Sequence, residues 1–216
     1  MMSTLAFICL SFLVQNVDAF AVNDQTDVCH SNPCLNGGKC ELHSGALASP
    51  VTSCICPVEW SGDVCENPTN VPAIRHDFGE RSDMTVSGNL RQWPELGENG
   101  EAGIGHIKSN ETFQLATNFL LETGKSACAS FFYRREKTGS TLKFFYTTSG
   151  IRRPLWESVQ DVSVNNTWKQ VKIDLLGIQY LGNVVLTLEG NTTPSSGYLD
   201  IDDVLIVELA CSLVNF

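Results

Sequence analysis

The stretch GYLDIDDVLIVELAC, residues 197–211, is typical of a long apolar strand, but it carries three aspartates near its middle. Side chains alternate between the two faces of a strand, so one face is expected to collect five apolar residues: Leu199, Ile201, Leu205, Val207 and Leu209. The same alternation predicts Asp200 and Asp202 on the opposite, solvent-facing side and Asp203 on the apolar side. A carboxylate on an apolar face requires hydrogen-bond donors, a cation or a bulge that turns it outward.

The composition of the chain predicts a globular protein that does not bind nucleic acid. Hydrophobic residues make up 43% of the 216 residues and charged residues 18%, which is typical of folded domains. The formal net charge is −10, and no basic run is available to neutralise a row of phosphates. The length leaves room for one or two domains.

Residues 1–19 are predicted to be a secretory signal peptide. Residues 5–14 are apolar but too few to span a membrane, and Val17-Asp18-Ala19 supplies a small-x-small cleavage site. The alternative is a buried N-terminal strand, which would seldom be so apolar so close to Met1. No second apolar run approaches the roughly twenty residues of a transmembrane helix, so we expect a secreted, extracellular protein that is not membrane-spanning.

The cysteines divide the remaining chain into two parts. Cys9 lies in the signal peptide, and the other eight are an even number, as expected where disulfides form. Six of them crowd into residues 29–65, a segment too short to fold without covalent links, and two stand apart at 128 and 211. Spacing alone leaves fifteen pairings of the six open, and a zinc site is the rival interpretation. Residues 67–75, with two prolines and no periodicity, predict a short, stiff linker.

Residues 29–65 follow the spacing C-x4-C-x5-C-x13-C-x-C-x8-C, with Asn36-Gly37-Gly38 ahead of the third cysteine. This pattern resembles an EGF-like domain, which we assign to residues 25–66. The resemblance implies three disulfides: Cys29–Cys40, Cys34–Cys54 and Cys56–Cys65. It also implies an O-glucose acceptor at Ser31, because residues 29–34 fit C-x-S-x-P-C; the alternative for Ser31 is an ordinary turn serine.

The rest of the chain is predicted to be all-β. In KQVKIDL, residues 169–175, apolar and polar side chains alternate as they do in a half-buried strand. Three more β-rich runs, at 127–134, 141–148 and 183–189, are separated by polar connections, and no helical period of useful length occurs. Strands spaced in this way suggest a β-sandwich.

Several further signals follow one another in a fixed order. Asp77-Phe78 stands at the start, a strand of Cys-x-x-Phe-x-Tyr type begins at Cys128, and the motif Gly-x-x-x-Ile-Asp-Asp-Val begins at Gly197; three tryptophans lie between these signals, Trp93, Trp156 and Trp168. Their order resembles a MAM domain over residues 76–211. The resemblance implies a jelly-roll β-sandwich, a Cys128–Cys211 disulfide, and a role in adhesion or protein recognition outside the cell. The family's first disulfide is missing, because no cysteine lies between residues 66 and 127.

The resemblance also implies a candidate metal site, because jelly-roll modules of this kind often hold a structural cation between their first and last strands. Oxygen ligands for Ca²⁺ could come from four acidic residues, Asp77, Glu80, Asp202 and Asp203. The alternative is that backbone donors of the opening strand satisfy Asp203 by hydrogen bonding, with no cation.

Three sequons predict N-linked glycans in polar connections, at Asn110, Asn165 and Asn191.

The sequence gives little support for catalysis, because the four histidines lack metalloprotease spacing and no G-x-S-x-G elbow occurs. The paired arginines at 134–135 and 152–153 are either a recognition patch or a solvated strand edge.

These observations predict a non-enzymatic, secreted recognition, adhesion or matrix protein. Its partner would be an extracellular protein or glycan, and homophilic association is also open. Two alternatives remain: a carbohydrate-binding or glycoside-hydrolysing jelly roll, and an acidic organic-matrix protein of a mineralised tissue such as shell or skeleton. Acidity and secretion alone suggest the second alternative.

Overall fold

The computed structural model describes residues 28–43, 51–79, 82–97, 102–121, 124–158, 166–175 and 182–214. The predicted signal peptide lies outside these residues. The described residues form fifteen strands and two short 3₁₀ turns, so the predicted all-β class is confirmed.

The EGF-like module consists of two small sheets held by three disulfides. After a 3₁₀ turn at Val28–Ser31, β1 (Lys39–His43) pairs with β2 (Val51–Ile55), and β3 (Trp60–Ser61) pairs with β4 (Asn67–Pro68). The disulfides join the pairs that the resemblance implies: Cys29–Cys40, Cys34–Cys54 and Cys56–Cys65. A Cβ atom on Gly38 would lie 2.6 Å from Cys65 Sγ, so only glycine fits beside the disulfides here.

The second module is a sandwich of two antiparallel sheets. The first sheet contains β5 (Ala73–His76), β7 (Arg91–Leu96), β8 (Ala102–Ile107), β10 (Cys128–Arg135), β13 (Lys169–Asp174) and β15 (Leu199–Val207). Its strand order is β13-β10-β15-β8-β7, with β5 also paired to β15. The second sheet contains β6 (Thr85–Gly88), β9 (Thr112–Leu121), β11 (Thr141–Thr148), β12 (Ile151–Glu157) and β14 (Gly182–Asn191). Its order is β12-β11-β14-β9-β6.

The main core lies between the two sheets. Its largest fully buried side chains include Phe113, Phe131, Phe144, Leu186 and Leu188. Burying an aliphatic or aromatic side chain of this size stabilises a fold by about 1.5–3 kcal/mol, so these residues account for much of the attraction between the sheets.

The strand β15 changes neighbours along its length. One side pairs with β10, whereas the other pairs with β8 along Leu199–Ile201 and with β5 along Val204–Val207. Asp202 and Asp203 lie at this change. The register against β10 shifts at the same place, because Phe132 faces Asp202 while Ser130 faces Leu205, and Asp203 has a φ of 46°. These features define a β-bulge at Asp203.

The bulge reverses the alternation of side chains, so the predicted face assignment is wrong beyond Asp202. Leu199 and Ile201 enter the main core as expected, but after the bulge Val204 and Ile206 enter it. Leu205 and Val207 turn instead to a second apolar cluster on the other side of the sheet. The physical reason is that one extra residue in a strand shifts its two-residue period by one.

The second cluster contains Cys128, Leu205, Val207, Cys211 and Val214. Cys128 and Cys211 form a disulfide, the bond implied by the MAM resemblance. Partly buried apolar side chains pack against this cluster, and one of them, Val58, belongs to the EGF-like module. The EGF-like module therefore rests directly on the sandwich.

The segment predicted to be a linker takes part in both modules. Asn67–Pro68 pairs with β3 of the EGF-like module, and Thr69 N donates to Glu59 O at 2.7 Å. Ala73–His76 is already a strand of the first sheet. Arg75 of this strand forms a 3.5 Å ion pair with Glu59.

The bulge predicts different effects for two substitutions of Asp203. Aspartate and asparagine tolerate positive φ, whereas a β-branched residue does not. Asp203→Val should therefore lower the free energy of unfolding by about 1–2 kcal/mol more than Asp203→Asn, measured by denaturant titration. Equal losses would mean that the carboxylate, and not the backbone conformation, is what the strand requires.

The contact between the modules predicts that Val58→Asp destabilises the sandwich. A charge beside the apolar cluster would lack partners there, and we expect a loss of about 1–3 kcal/mol. The matched control is Leu42→Asp in β1, since Leu42 is 48% exposed. Calorimetry in which both variants melt like the parent chain would contradict the packing of the two modules.

Candidate functional site

Three polar residues lie directly opposite one another on adjacent strands of the first sheet. The ladder pairs Arg134 of β10 with Asp200 of β15, and Asp200 with His106 of β8. They share the face of the sheet that points away from the main core. Asp200 therefore sits at the middle of a row that crosses three strands.

Asp200 is the buried centre of this row. Arg134 Nε donates to Asp200 Oδ2 at 2.7 Å, and His106 Nδ1 lies 2.6 Å from Oδ1. Only 1% of Asp200 is exposed, which contradicts its predicted contact with solvent; Asp202, which is 2% exposed, was predicted wrongly in the same way. The alternation assigned the correct face to Asp200, but neighbouring side chains cover that face.

Aromatic side chains flank the row on both sides. The Trp93 ring stacks on His106 at 4.8 Å between centroids, and the Tyr198 ring lies 5.7 Å from His106 on a tilt. At the other end, the Arg134 guanidinium lies 4.8 Å from the centre of the Trp168 ring. Glu95 links the two ends, because it accepts hydrogen bonds from Trp93 Nε1 and Arg134 Nη2. We call this set the belt: Trp93, Glu95, His106, Arg134, Trp168, Tyr198 and Asp200.

Burial and hydrogen bonds shift the pKa values of the charged residues in the belt. Burial raises the pKa of Asp200 above the usual aspartate value, although the hydrogen bonds from Arg134 and His106 oppose that change. The hydrogen bond from Arg134 lowers the pKa of Glu95. Burial lowers the pKa of Arg134, but its bonds to Asp200 and Glu95 outweigh this and raise it overall. The result is a preorganised surface in which Asp200 and Glu95 both accept hydrogen bonds from Arg134.

The four predicted calcium ligands do not form a recognisable metal centre among the residues that the structure describes. No group of three or more His, Cys, Asp or Glu side chains there has metal-binding geometry. Asp77 Oδ1 accepts from Gly79 N at 2.9 Å, and Asp202 Oδ1 accepts from Asp203 N at 3.0 Å. Glu80 lies outside the described residues. The Ca²⁺ assignment therefore stays a prediction.

The predicted modification sites lie in different settings. Ser31 is exposed at the end of the first 3₁₀ turn. Asn110 is exposed in the turn between β8 and β9, and Asn191 is exposed at the end of β14. Asn165 lies outside the described residues.

Sequence reasoning missed most of the belt. In the sequence, Trp93 and Trp168 indicated only the resemblance to a MAM domain and no binding role. Nothing in the sequence singled out Glu95, His106 or Tyr198. The arginine pair at 134–135 gave a partial signal. The structure separates its members, because Arg134 joins the belt while Arg135 is buried and donates to Ser140 O at 3.1 Å.

The fold and the site together define a two-module protein, in which an EGF-like module precedes a jelly-roll sandwich with an aromatic and charged outer face. The chain belongs to the MAM domain family: the family model "MAM domain, meprin/A5/mu" matches residues 103–212, and the model of the EGF-like domain matches residues 29–64. Both family resemblances noted in the sequence are thereby confirmed.

Known proteins resemble parts of the chain. Cubilin of Rattus norvegicus is 45% identical over 49 residues, which are 22% of this chain and 1% of cubilin. The carbohydrate-binding module TmCBM61, solved with β-1,4-galactotriose, has a TM-score of 0.45 and 16% identity, covering 60% of this chain and 89% of that one. The K1 adhesin domain of Lys-gingipain from Porphyromonas gingivalis has a TM-score of 0.46 and 12% identity, covering 64% and 98%. The chain thus spans about 1% of the length of cubilin.

The sequence predicts that the chain does not span a membrane. No helix among those residues is long and apolar enough to cross a membrane.

The buried position of Asp200 predicts that Asp200→Asn destabilises the sandwich. Asparagine keeps one oxygen acceptor but puts an NH2 donor in place of the other, so either Arg134 or His106 loses its partner, and an unsatisfied buried donor costs about 1–3 kcal/mol. The matched control is Glu95→Gln, because Glu95 contacts the same arginine but its side chain is 55% exposed. We expect the control to lose less than about 1 kcal/mol in denaturant titration. An effect of Asp200→Asn no larger than that of the control would contradict the central role of Asp200.

Proposed function

We propose that this chain is a non-enzymatic extracellular recognition protein that binds a protein partner through the belt. The observation that carries the proposal is the belt itself, in which the Trp93 and Tyr198 rings flank His106 and the Trp168 ring packs against Arg134 on one outer face of the sandwich. Tryptophan, tyrosine and arginine are the residues that most often dominate the binding energy of protein interfaces.

The geometry of the belt favours binding with little loss of side-chain freedom. Trp93 is held by His106 and Glu95, and Tyr198 donates a hydrogen bond to Asn166 Oδ1. Side chains that are already ordered lose less entropy when a partner binds. The aromatic rings remain partly exposed, so a partner can still bury them.

The same contacts argue against catalysis at the belt. General acid–base chemistry needs a carboxyl group that is free to exchange a proton with substrate. Asp200 is almost fully buried and Glu95 is paired with Arg134, so neither is placed for that role. The EGF-like and MAM modules support the same conclusion, because the resemblance implies adhesion or recognition outside the cell. Secretion and a role in adhesion or matrix assembly belong to this proposal.

Binding to extracellular matrix of the source organism tests the proposal. The full chain, secreted from eukaryotic cells and fluorescently labelled, should bind the matrix, and Trp93→Ala or Trp168→Ala should weaken binding by about 30-fold, as expected for loss of an interface hot spot. The control is Ile151→Ala, because Ile151 is 56% exposed on β12 of the opposite sheet. Each variant must melt within a few degrees of the parent chain.

Treatment of the matrix identifies the class of partner. Trypsin should abolish binding, whereas periodate, which destroys sugar rings, should leave it intact. Loss with periodate alone would contradict a protein partner in favour of a glycan. Analytical sedimentation of the protein alone tests for self-association. If the parent chain self-associates and Trp93→Ala does not, the partner is a second copy of the chain. Equal binding by the tryptophan variants and the parent chain would overturn the proposal.

A further inference from the structure

The sandwich has a polar groove on the outer face of its second sheet, opposite the belt. The groove has a volume of about 310 Å³ and lies over β9 and β14, beside the end of β6. Three of the side chains that line it are Gln114, Glu189 and Asn191. Asn191 is also the acceptor residue of the sequon Asn191-Thr192-Thr193.

The strand register explains why Asn191 belongs to this groove. Val184, Leu186 and Leu188 of β14 enter the main core, so Glu189 and Asn191 point to the outer face by alternation. In the ladder, Glu189 faces Gln114 and Asn191 faces Thr112. The Asn191 side chain therefore starts at one end of the groove, next to Glu189 and Gln114.

The groove offers fixed hydrogen-bonding groups. Gln114 Nε2 donates to Glu189 Oε2 at 2.8 Å, and Arg152 Nη2 donates to the same oxygen at 2.9 Å. A carboxylate has two oxygens and several lone pairs, so these contacts leave Glu189 with capacity to accept from further hydroxyl groups. The groove thus presents carboxylate and amide groups beside an exposed asparagine.

We propose that Asn191 carries an N-linked glycan whose first sugar residue lies in this groove. In the secretory pathway, C1 of the reducing-end N-acetylglucosamine would form a bond to Asn191 Nδ2 while its bond to a lipid pyrophosphate carrier breaks, and the amide loses one proton. The attached sugar would hydrogen-bond to Glu189 and Gln114. The glycan would then cover the second sheet and leave the belt on the first sheet open.

Asn110 supplies an internal comparison. Its sequon is Asn110-Glu111-Thr112, and Asn110 lies in a turn with a φ of 64°, outside the residues that line the groove. A glycan at Asn110 would project from the end of the sandwich. Of these two glycans, the one at Asn191 should therefore affect the stability of the fold and the one at Asn110 should not.

The test uses the full chain secreted from eukaryotic cells that make high-mannose glycans. Thr193→Val removes the Asn191 sequon while it keeps Asn191 and a side chain of similar shape. Intact mass should fall by one glycan, and the melting temperature should fall by about 2–4 °C, the shift expected for the net loss of about one hydrogen bond in a chain of this size. Asn110→Asp removes the Asn110 sequon but keeps a residue that tolerates the positive φ of this turn, so it should leave the melting temperature unchanged.

Two further measurements isolate the groove. Trimming by an endoglycosidase that leaves one N-acetylglucosamine should preserve the melting temperature, because the first sugar makes the contacts. In the background of Gln114→Ala, Thr193→Val should cause a smaller shift than in the parent chain. An unchanged mass for Thr193→Val, or equal melting shifts for Thr193→Val and Asn110→Asp, would overturn the proposal.

Discussion

The pairing of the last strand with three neighbours is the constraint on which the sandwich depends. β15 lies between β10 on one side and both β8 and β5 on the other, so it joins the start of the module to its end. A strand that changes neighbours in mid-course needs an irregularity there, and the bulge at Asp203 provides it. The acidic residues in the middle of an apolar strand mark this point.

The bulge also allows one strand to serve two apolar clusters. Residues before and after it enter the main core, while Leu205 and Val207 meet the Cys128–Cys211 disulfide on the opposite side. Val58 of the EGF-like module packs against this second cluster. The contact places the EGF-like module against the same sheet that carries the belt.

The two outer faces of the sandwich differ in chemistry. The first sheet exposes aromatic rings around paired charges, which suits the burial of a large partner surface. The second sheet exposes a polar groove with Asn191 at its end, which suits the proposed N-linked glycan. Antiparallel sandwiches can divide roles in this way, because the residues that face outward do not contribute to the core.

The sequence by itself indicated the β class and the two modules, because alternation, turn residues and cysteine spacing are local signals. The disulfide pairs followed from the resemblance to EGF-like and MAM domains, since spacing alone leaves fifteen pairings of the six clustered cysteines open. The sequence also indicated that the aspartates of the final strand are unusual. Only the tertiary structure decided what they do: the neighbour change at Asp203 and the contacts of Asp200 with Arg134 and His106 join strands 66 to 94 residues apart in the chain. Alternation fixes which side a residue points to, but not what covers that side. The belt could therefore not be predicted from the sequence, since its members come from five separate segments.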